Sequence, residues 1–195
     1  MLYSLVLSFA IASTNASSAK KDAPAVFAVD GLLQTAWMED AAGYGAGESF
    51  SLSLSKSTDI KTISIWPGNL SNGSRSFRQY SRPKVIRVLV DGAEIGNPVR
   101  LLDKTQRLDI NIGTTGKKIQ ILVDEVFEGV VYTELAIAEI AVNFTEQEEN
   151  ARLEKWQKSR DGTKQHDKFV SEMNEHYRLC KEAEFGNKDS FQAIA

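Results

Sequence analysis

The amino-acid sequence predicts a mainly β protein, an antiparallel β-sandwich followed by a helical C-terminal extension. Between residues 23 and 144, apolar and polar residues alternate in short segments, which indicates strands with one buried face. Gly, Asn and Asp separate these segments, and no helical period interrupts them. Several short strands with turn signals at close spacing are typical of a sandwich. From residue 146 onward the segments are charged and have a helical period.

The alternating segments define the expected strands of the sandwich. They cover residues 47–54, 58–66, 84–90, 107–112, 118–123 and 135–144. Asp91-Gly92 follows the third segment and predicts a tight hairpin turn, because both residue types tolerate the positive φ angles that such turns need. Gly113 is expected to end the fourth segment. No helix is expected between these strands.

The first twelve residues have two interpretations. Residues 2–9 form a short apolar run, and Ala10-Ile11-Ala12 has the small-x-small form of a cleavage site, as in a signal peptide. No Lys or Arg precedes the run, so the positive segment usual in signal peptides is missing. In the alternative, residues 8–13 form the first strand of the sandwich. We expect export, which predicts a secreted or cell-surface protein, with the sandwich over residues 13–145.

The C-terminal residues 146–195 are expected to form two charged helices separated at Asp161-Gly162. The second has an apolar stripe near the helical period, formed by Phe169, Val170, Met173, Tyr177 and Cys180. Such a stripe favours a helical hairpin that packs on the sandwich or on a protein partner.

Composition excludes several classes of function. The chain has 195 residues and a formal net charge of −3, which argues against a nucleic-acid partner. No apolar run reaches the roughly 20 residues of a membrane span. The single cysteine, Cys180, excludes an internal disulfide.

Few residues in this chain suit catalysis, a cofactor or a metal. The predicted sandwich contains no His, which removes the commonest general base. His176 and Cys180 are one helical turn apart and can seed a metal site, but no further ligand lies near them except His166. The loop 43–47 has no strand before it and no helix after it, so it does not match a phosphate-binding loop. We therefore expect no enzyme activity, no cofactor and no metal.

The remaining carboxylates have structural interpretations. Glu39-Asp40 and Asp124-Glu125 are adjacent pairs at predicted loops or strand ends, and solvated charge explains them. Asp30 and Glu139 are expected to accept hydrogen bonds from backbone N–H groups at a turn or a strand edge. A structural cation near Asp30 is a further option, because hard ions need several oxygen ligands.

The strongest candidate for a functional surface is the long connection 67–82, since long loops in compact domains are usually functional or disordered. It contains Arg75, Phe77, Arg78, Tyr80 and Arg82. Arginine offers a planar fork of donors and aromatic rings offer flat apolar faces, a combination that suits a sugar. Alternatively, the two rings anchor the loop and the arginines are solvated.

Two more aromatic residues join this candidate set. Tyr44 lies in the Gly-rich loop 43–47, where a ligand could approach the backbone. Trp37 follows the Asp30-Gly31 turn and fits either the core or the rim of the site.

Four motifs in this order carry a family resemblance. They are Ala28-Val29-Asp30-Gly31 with Thr35-Ala36-Trp37, then Gly45-Ala46-Gly47-Glu48, then the segment 84–92, and finally the segment 132–140. Together they resemble a discoidin-like (galactose-binding-like) β-sandwich and are most similar to the NADase-type glycan-binding domain. The resemblance implies a jelly-roll fold used for binding, with a glycan or glycoprotein as the partner.

The leading hypothesis is therefore a non-catalytic module that recognises carbohydrate on a cell surface or matrix and targets an associated activity. The alternative is a protein–protein adaptor whose helical tail carries the interaction, with the sandwich as scaffold. An enzyme that uses His166, His176 and Cys180 is a third hypothesis.

Overall fold

The structure is a computed structural model that describes residues 11–151. Its strands are β1 (Ile11–Ala16), β2 (Trp37–Met38), β3 (Ser49–Pro67), β4 (Arg82–Val90), β5 (Ala93–Glu94), β6 (Val99–Arg100), β7 (Leu108–Phe127) and β8 (Ala136–Val142). Their pairing is antiparallel throughout, in the order β2-β8-β3-β7-β4-β5, with β1 added to β3 and β6 added to β4. A 3₁₀ helix, Ala25–Val29, and one short α-helix, α1 (Ser74–Gln79), lie between strands.

Strands β3 and β7 are each longer than the sequence pattern predicts. The predicted strands 47–54 and 58–66 are one continuous strand, and so are 107–112 and 118–123. In β3 the register shifts between Ser53 and Thr58, where the strand bulges. A bulge bends a strand without ending it, so the two halves can take different neighbours. The first half of β3 pairs with β1 and the second half with β8.

Gly113 therefore does not end a strand, contrary to the prediction. It has a φ of 64° and lies inside β7. The expectation of no helix between strands was also wrong, because the connection that contains α1 satisfies its backbone by forming a helical turn. Short polar segments of this kind give no periodic signal in the sequence.

The core lies where the inward-facing residues of the long strands meet. Alternate positions of β3, β4 and β7 are buried, and they include Phe50, Leu52, Leu54, Ile86, Val88, Ile119, Ile121 and Val123. Burying an aliphatic or aromatic side chain of this size contributes about 1.5 to 3 kcal/mol. The ring of Trp37 joins this cluster at 5.6 Å from that of Phe50, measured between centroids.

The predicted hairpin after β4 is confirmed. Asp91 and Gly92 have φ angles of 50° and 87°, and they reverse the chain from β4 into β5. The Asp91 carboxylate accepts hydrogen bonds from the backbone N–H groups of Lys117 and Lys118. These bonds hold the pKa of Asp91 below its usual value. The turn is thereby tied to the neighbouring strand β7.

The N-terminal expectations are only partly covered by the described residues. β1 occupies Ile11–Ala16 and pairs with β3, so the described part of the alternative strand, residues 11–13, is in a strand. Residues 1–10 lie outside the described part, and the signal peptide stays a prediction. No helix within residues 11–151 is long and apolar enough to cross a membrane.

The start of the C-terminal extension is helical, as predicted. Residues 146–151 form the first turns of a helix, and the hydroxyl of Thr145 accepts a hydrogen bond from the N–H of Glu148. The carboxylate of Glu148 in turn accepts the N–H of Thr145, which completes a capping box. The remaining predicted helix, with its apolar stripe and with His166 and His176, lies outside the described residues.

Candidate functional site

Four connections meet at the end of the sandwich where β4 begins, which we call the loop end. They comprise residues 17–24, 39–48, 68–81 and 128–135. Backbone hydrogen bonds join them: Ser81 N–H donates to the carbonyl of Glu134, and Glu39 N–H donates to that of Leu135. Lys20 N–H donates to the carbonyl of Met38. The loop end is therefore a single bonded assembly.

The C-terminal end of α1 shapes the connection 128–135. The carbonyl of Arg78 accepts the N–H of Val130, and the carbonyl of Gln79 accepts the N–H of Tyr132 at 2.8 Å. These carbonyls would otherwise have no partner at a helix end. Gly129 permits the approach, because a Cβ atom there would lie 2.5 Å from the Gln79 carbonyl oxygen. Tyr132 is fixed in place by this contact.

Tyr80 and Tyr132 stack at the surface of the loop end. Their ring centroids are 4.5 Å apart and the planes differ by 24°. Tyr132 keeps 43% of its surface exposed, whereas Tyr80 is half-buried. Burial raises the pKa of the Tyr80 hydroxyl, with smaller contributions from Tyr132 and from the negative charge of Glu134. The pair presents a flat aromatic surface with hydroxyl groups beside charged side chains.

Next to these rings, Lys20 pairs with Glu134. The ammonium of Lys20 hydrogen-bonds the Glu134 carboxylate, and both side chains are partly exposed. This bond raises the pKa of Lys20 and lowers the pKa of Glu134, so both groups are charged at neutral pH. At such exposure the pair contributes about 0.5 to 1 kcal/mol to stability. Its polar atoms remain available to a ligand.

Arg82 lies behind this surface and connects two of the loops. Its guanidinium makes a bidentate pair with Asp103, at 2.8 Å for each hydrogen bond. It also donates to the carbonyls of Tyr80 and Glu128. The guanidinium carbon sits 5.0 Å from the centre of the Phe77 ring. Arg82 thus positions the residues that precede β4 and those that follow β7.

Three of the seven candidate ligand residues from the sequence are buried in the structure. Trp37 is fully buried and donates its indole N–H to the carbonyl of Ser18. Phe77 and Arg82 are also buried, at 4% and 6% exposure. These three side chains have almost no surface to offer a ligand, because the fold uses them as packing and support. Phe77 therefore anchors the connection 67–82 to the sandwich, which was the alternative to a ligand-binding role for its ring.

The other candidates are accessible. Arg75 and Arg78 are exposed on α1, three residues apart on one helical turn, and neither forms an ion pair within residues 11–151. Tyr44 is 39% exposed in the Gly-rich loop. Lys20, Tyr132 and Glu134 are also accessible at the loop end, and the sequence analysis named none of them as a candidate. The apolar run Val130-Val131-Tyr132 in a polar loop was the available signal.

Four carboxylates in two adjacent pairs were interpreted as solvated charge, and Glu39 is not solvated. Glu39 is completely buried, and its oxygens accept the N–H groups of Ala41 and Leu135. Burial raises the pKa of Glu39, although the two N–H groups oppose the shift. Asp40 is exposed, as expected. The prediction failed for Glu39 because its partner Leu135 is remote in sequence.

The second adjacent pair, Asp124-Glu125, is exposed and forms ion pairs. Asp124 binds Arg87 and Glu125 binds Lys84, each through an ion pair with β4. Asp30 accepts the N–H of Leu32, and Glu139 accepts the N–H of Gly31, so the predicted role of both in satisfying backbone donors is confirmed.

Potential metal ligands do not cluster in the part of the chain that the structure describes. No group of three or more His, Cys, Asp or Glu side chains gathers there as a metal site would require. The candidate ligands His166, His176 and Cys180 lie outside that part.

The sequence of the sandwich matches a known domain family. A family model described as the NAD glycohydrolase translocation F5/8 type C domain matches residues 3–143. The chain belongs to this family. No relative was found among curated protein sequences.

Solved carbohydrate-binding modules have a similar fold. The family 32 module of NanJ from Clostridium perfringens, in complex with galactose, aligns with a TM-score of 0.52 at 20% identity, over 67% of this chain and 91% of that one. A pectin binding module aligns with a TM-score of 0.52 at 21% identity, over 70% and 93%. A second C. perfringens family 32 module, bound to GalNAc-beta-1,3-galactose, gives 0.51 at 20%, over 67% and 93%. The predicted β-sandwich and the resemblance to discoidin-like domains are confirmed.

Proposed function

We propose that this chain is a non-catalytic glycan-binding module that binds its ligand at the loop end. The observation that carries the proposal is the stacked pair Tyr80 and Tyr132 beside the Lys20–Glu134 ion pair. In this proposal the module acts at a cell surface or matrix and brings an associated activity to it. The NAD glycohydrolase in the family's description is a candidate for that activity.

The chemistry of a sugar fits these groups. One face of a pyranose ring carries C–H groups, which pack against an aromatic ring, and its edge carries hydroxyls. The exposed ring of Tyr132 offers the apolar contact. The carboxylate of Glu134 accepts hydrogen bonds from hydroxyls and the ammonium of Lys20 donates to them, and bonds to charged groups are the stronger kind.

The candidate residues then take two roles. Tyr80, Tyr132, Lys20 and Glu134 are proposed as direct contacts, with Arg75, Arg78 and Tyr44 at the edge of the site. Trp37, Phe77 and Arg82 are proposed as supports, because they are buried beneath the loops. Preformed loops of this kind lower the entropy that must be lost on binding.

The similar solved modules support a glycan-binding function, and the proposal also depends on the residues of the loop end. Two of the similar modules were solved with galactose or GalNAc-beta-1,3-galactose bound, and a third is described as pectin binding. Such ligands support the proposed location at a cell surface or matrix. The adaptor alternative depends on the tail beyond residue 151, which the structure does not describe.

The test is a glycan-array screen of the whole chain, followed by affinity measurement on any glycan that binds. We expect Tyr132→Ala to weaken binding by about 1 to 3 kcal/mol, the usual effect of losing an aromatic contact and a hydrogen bond. The thermal midpoint should change little, because Tyr132 is half exposed.

Tyr44→Ala is the matched control, since Tyr44 has a similar exposure of 39% on a different loop. A smaller loss in this variant than in Tyr132→Ala supports the proposed centre of the site. Full affinity in both Tyr80→Ala and Tyr132→Ala would remove these rings from the site.

A further inference from the structure

Three exposed apolar side chains follow one another in the connection 128–135. Val130, Val131 and Tyr132 keep 78%, 59% and 43% of their surface exposed. Side chains this exposed bury little apolar area, so their own packing contributes little to the position of the segment. Backbone hydrogen bonds to the neighbouring connection are therefore what holds Tyr132 in place.

Ser81 bonds this connection near both of its ends. It is fully buried, and its hydroxyl oxygen accepts the N–H of Gly129 at 3.1 Å. Its backbone N–H donates to the carbonyl of Glu134 at 3.0 Å, and its own carbonyl accepts the N–H of Ala136 at 2.9 Å. One buried residue thus bonds the chain on both sides of the exposed segment 130–132.

Gly129 allows the close approach that the Ser81 hydroxyl needs. A Cβ atom at residue 129 would lie 2.5 Å from the Gln79 carbonyl oxygen and 2.6 Å from the carbonyl carbon of Tyr80. Because Ser81 follows Tyr80 in the chain, its bonds also link the two backbone segments that carry the stacked rings of Tyr80 and Tyr132.

We propose that Ser81 is a positioning residue for the candidate site: through its bond to Gly129 it keeps Tyr132 stacked on Tyr80 before a ligand arrives. Its effect on affinity rests on the proposed glycan-binding function, whereas its effect on Tyr132 is measurable in the ligand-free protein. A contact that is already ordered loses less conformational entropy on binding. Ser81 itself touches no ligand, because it is completely buried.

Ser81→Ala removes the hydroxyl and keeps both backbone bonds, so it isolates the contact with Gly129. In the ligand-free whole chain we expect amide hydrogen exchange at Val130 and Tyr132 to become at least about tenfold faster, because the N–H of Gly129 loses its acceptor and the segment opens more often. Exchange at Ile95, whose N–H is bonded in the hairpin at the far end of β4, should be unchanged.

Ser76→Ala is the matched control. Ser76 is also a buried serine of the connection 68–81, at 4% exposure, but its hydroxyl bonds to Asn72 and Gly73 of that same connection. This variant should leave the exchange rate at Tyr132 and the glycan affinity unchanged within about twofold. Circular dichroism and the thermal midpoint verify that each variant is folded.

A double-mutant cycle with Tyr132→Ala separates positioning from general support of the fold. For a glycan that binds the wild type, Ser81→Ala should weaken binding by about tenfold. In the Tyr132→Ala background the same change should weaken it by less than about twofold, because no ring is left to position.

The possible failures are distinguishable. Equal losses of affinity in the two backgrounds, or unchanged exchange at Tyr132 in Ser81→Ala, would overturn the positioning role while the glycan-binding function stands. Absence of binding to every glycan by the wild type would contradict the proposed function itself. The exchange measurement would then still decide whether Ser81 holds Tyr132 in place.

Discussion

The chain is connected to the two ends of β4 by different kinds of structure, a tight turn at one end and long loops at the other. At its C-terminal end the chain reverses through two residues, Asp91 and Gly92, both with positive φ. At its N-terminal end the chain enters from the loop end, whose connections are held by the buried side chains of Arg82 and Glu39. The first end is specified by local backbone geometry. The second is specified by bonds between residues far apart in sequence.

This difference explains why one end carries the candidate site. A two-residue turn exposes few side chains and leaves little room to vary them. The long connections of the loop end place several side chains around one point, held by a rigid scaffold, as binding loops commonly are. The backbone groups of these connections need hydrogen-bond partners. Arg82 donates to two of their carbonyls and Glu39 accepts from two of their N–H groups.

The largest effect is expected from Arg82→Met. Methionine keeps much of the length and apolar contact but leaves Asp103 and the carbonyls of Tyr80 and Glu128 without the guanidinium. We expect a loss of about 3 kcal/mol, the low end for breaking a buried ion pair, because Asp103 is partly exposed. Urea unfolding measures it. Arg75→Met, at an exposed arginine, should change stability by no more than about 0.5 kcal/mol.

If Arg82→Met loses no more unfolding free energy than the control Arg75→Met, the stability of the loop end does not depend on Arg82. Glycan binding offers a second measurement on the same pair of variants. We expect it to fall in Arg82→Met because the carbonyls of Tyr80 and Glu128 lose their shared donor.

An intermediate effect is expected from Glu39→Ala. The change removes the acceptor for the N–H groups of Ala41 and Leu135, and the N–H of the fully buried Leu135 is then left without a partner. We expect a loss of about 2 kcal/mol in urea unfolding. Exposed Asp40→Ala is the neighbouring control and should be nearly neutral. Equal stability of the two variants would contradict a bridging role for Glu39.

Glu39 also gives a pH dependence of defined sign. Burial raises its folded-state pKa above the ordinary value of 4.5, so the folded protein holds this proton more tightly than the unfolded chain. Its contribution to stability is therefore fully present below about pH 4.5 and is lost as the pH rises through the folded-state pKa. We expect the unfolding free energy of the wild type minus that of Glu39→Gln to decrease as the pH rises above about 4.5. A constant difference would contradict the raised pKa.

The smallest effect is expected from Gly92→Ala at the opposite end. Nothing lies within 4 Å of the added Cβ, but the φ of 87° is unfavourable for alanine. We expect a loss of about 1 kcal/mol in urea unfolding. Glycan binding should be unaffected, because the turn is at the far end of β4. Weakened binding in this variant would show that the two ends are coupled.

Sequence patterns predicted β4, in which one face is buried along most of the strand, and also β8, in which nearly every residue is buried. They failed at the bulge of β3 and at Gly113, because a bulge interrupts the alternation in the same way as a turn does. In the candidate site they found Tyr80 and the exposed arginines of the long connection. They missed Lys20 and Glu134, since each is an ordinary surface charge until the fold pairs them.

The sequence by itself determined the β-sandwich, the hairpin at Asp91-Gly92 and the family, because alternation and turn chemistry act between near neighbours in the chain. Only the tertiary structure decided which side chains of the loop end face outward. Arg82 and Arg78 look alike in sequence, yet one is buried against Asp103 and the other is exposed. The physical reason is distance along the chain: the bonds that bury Arg82 and Glu39 reach partners 21 and 96 residues away.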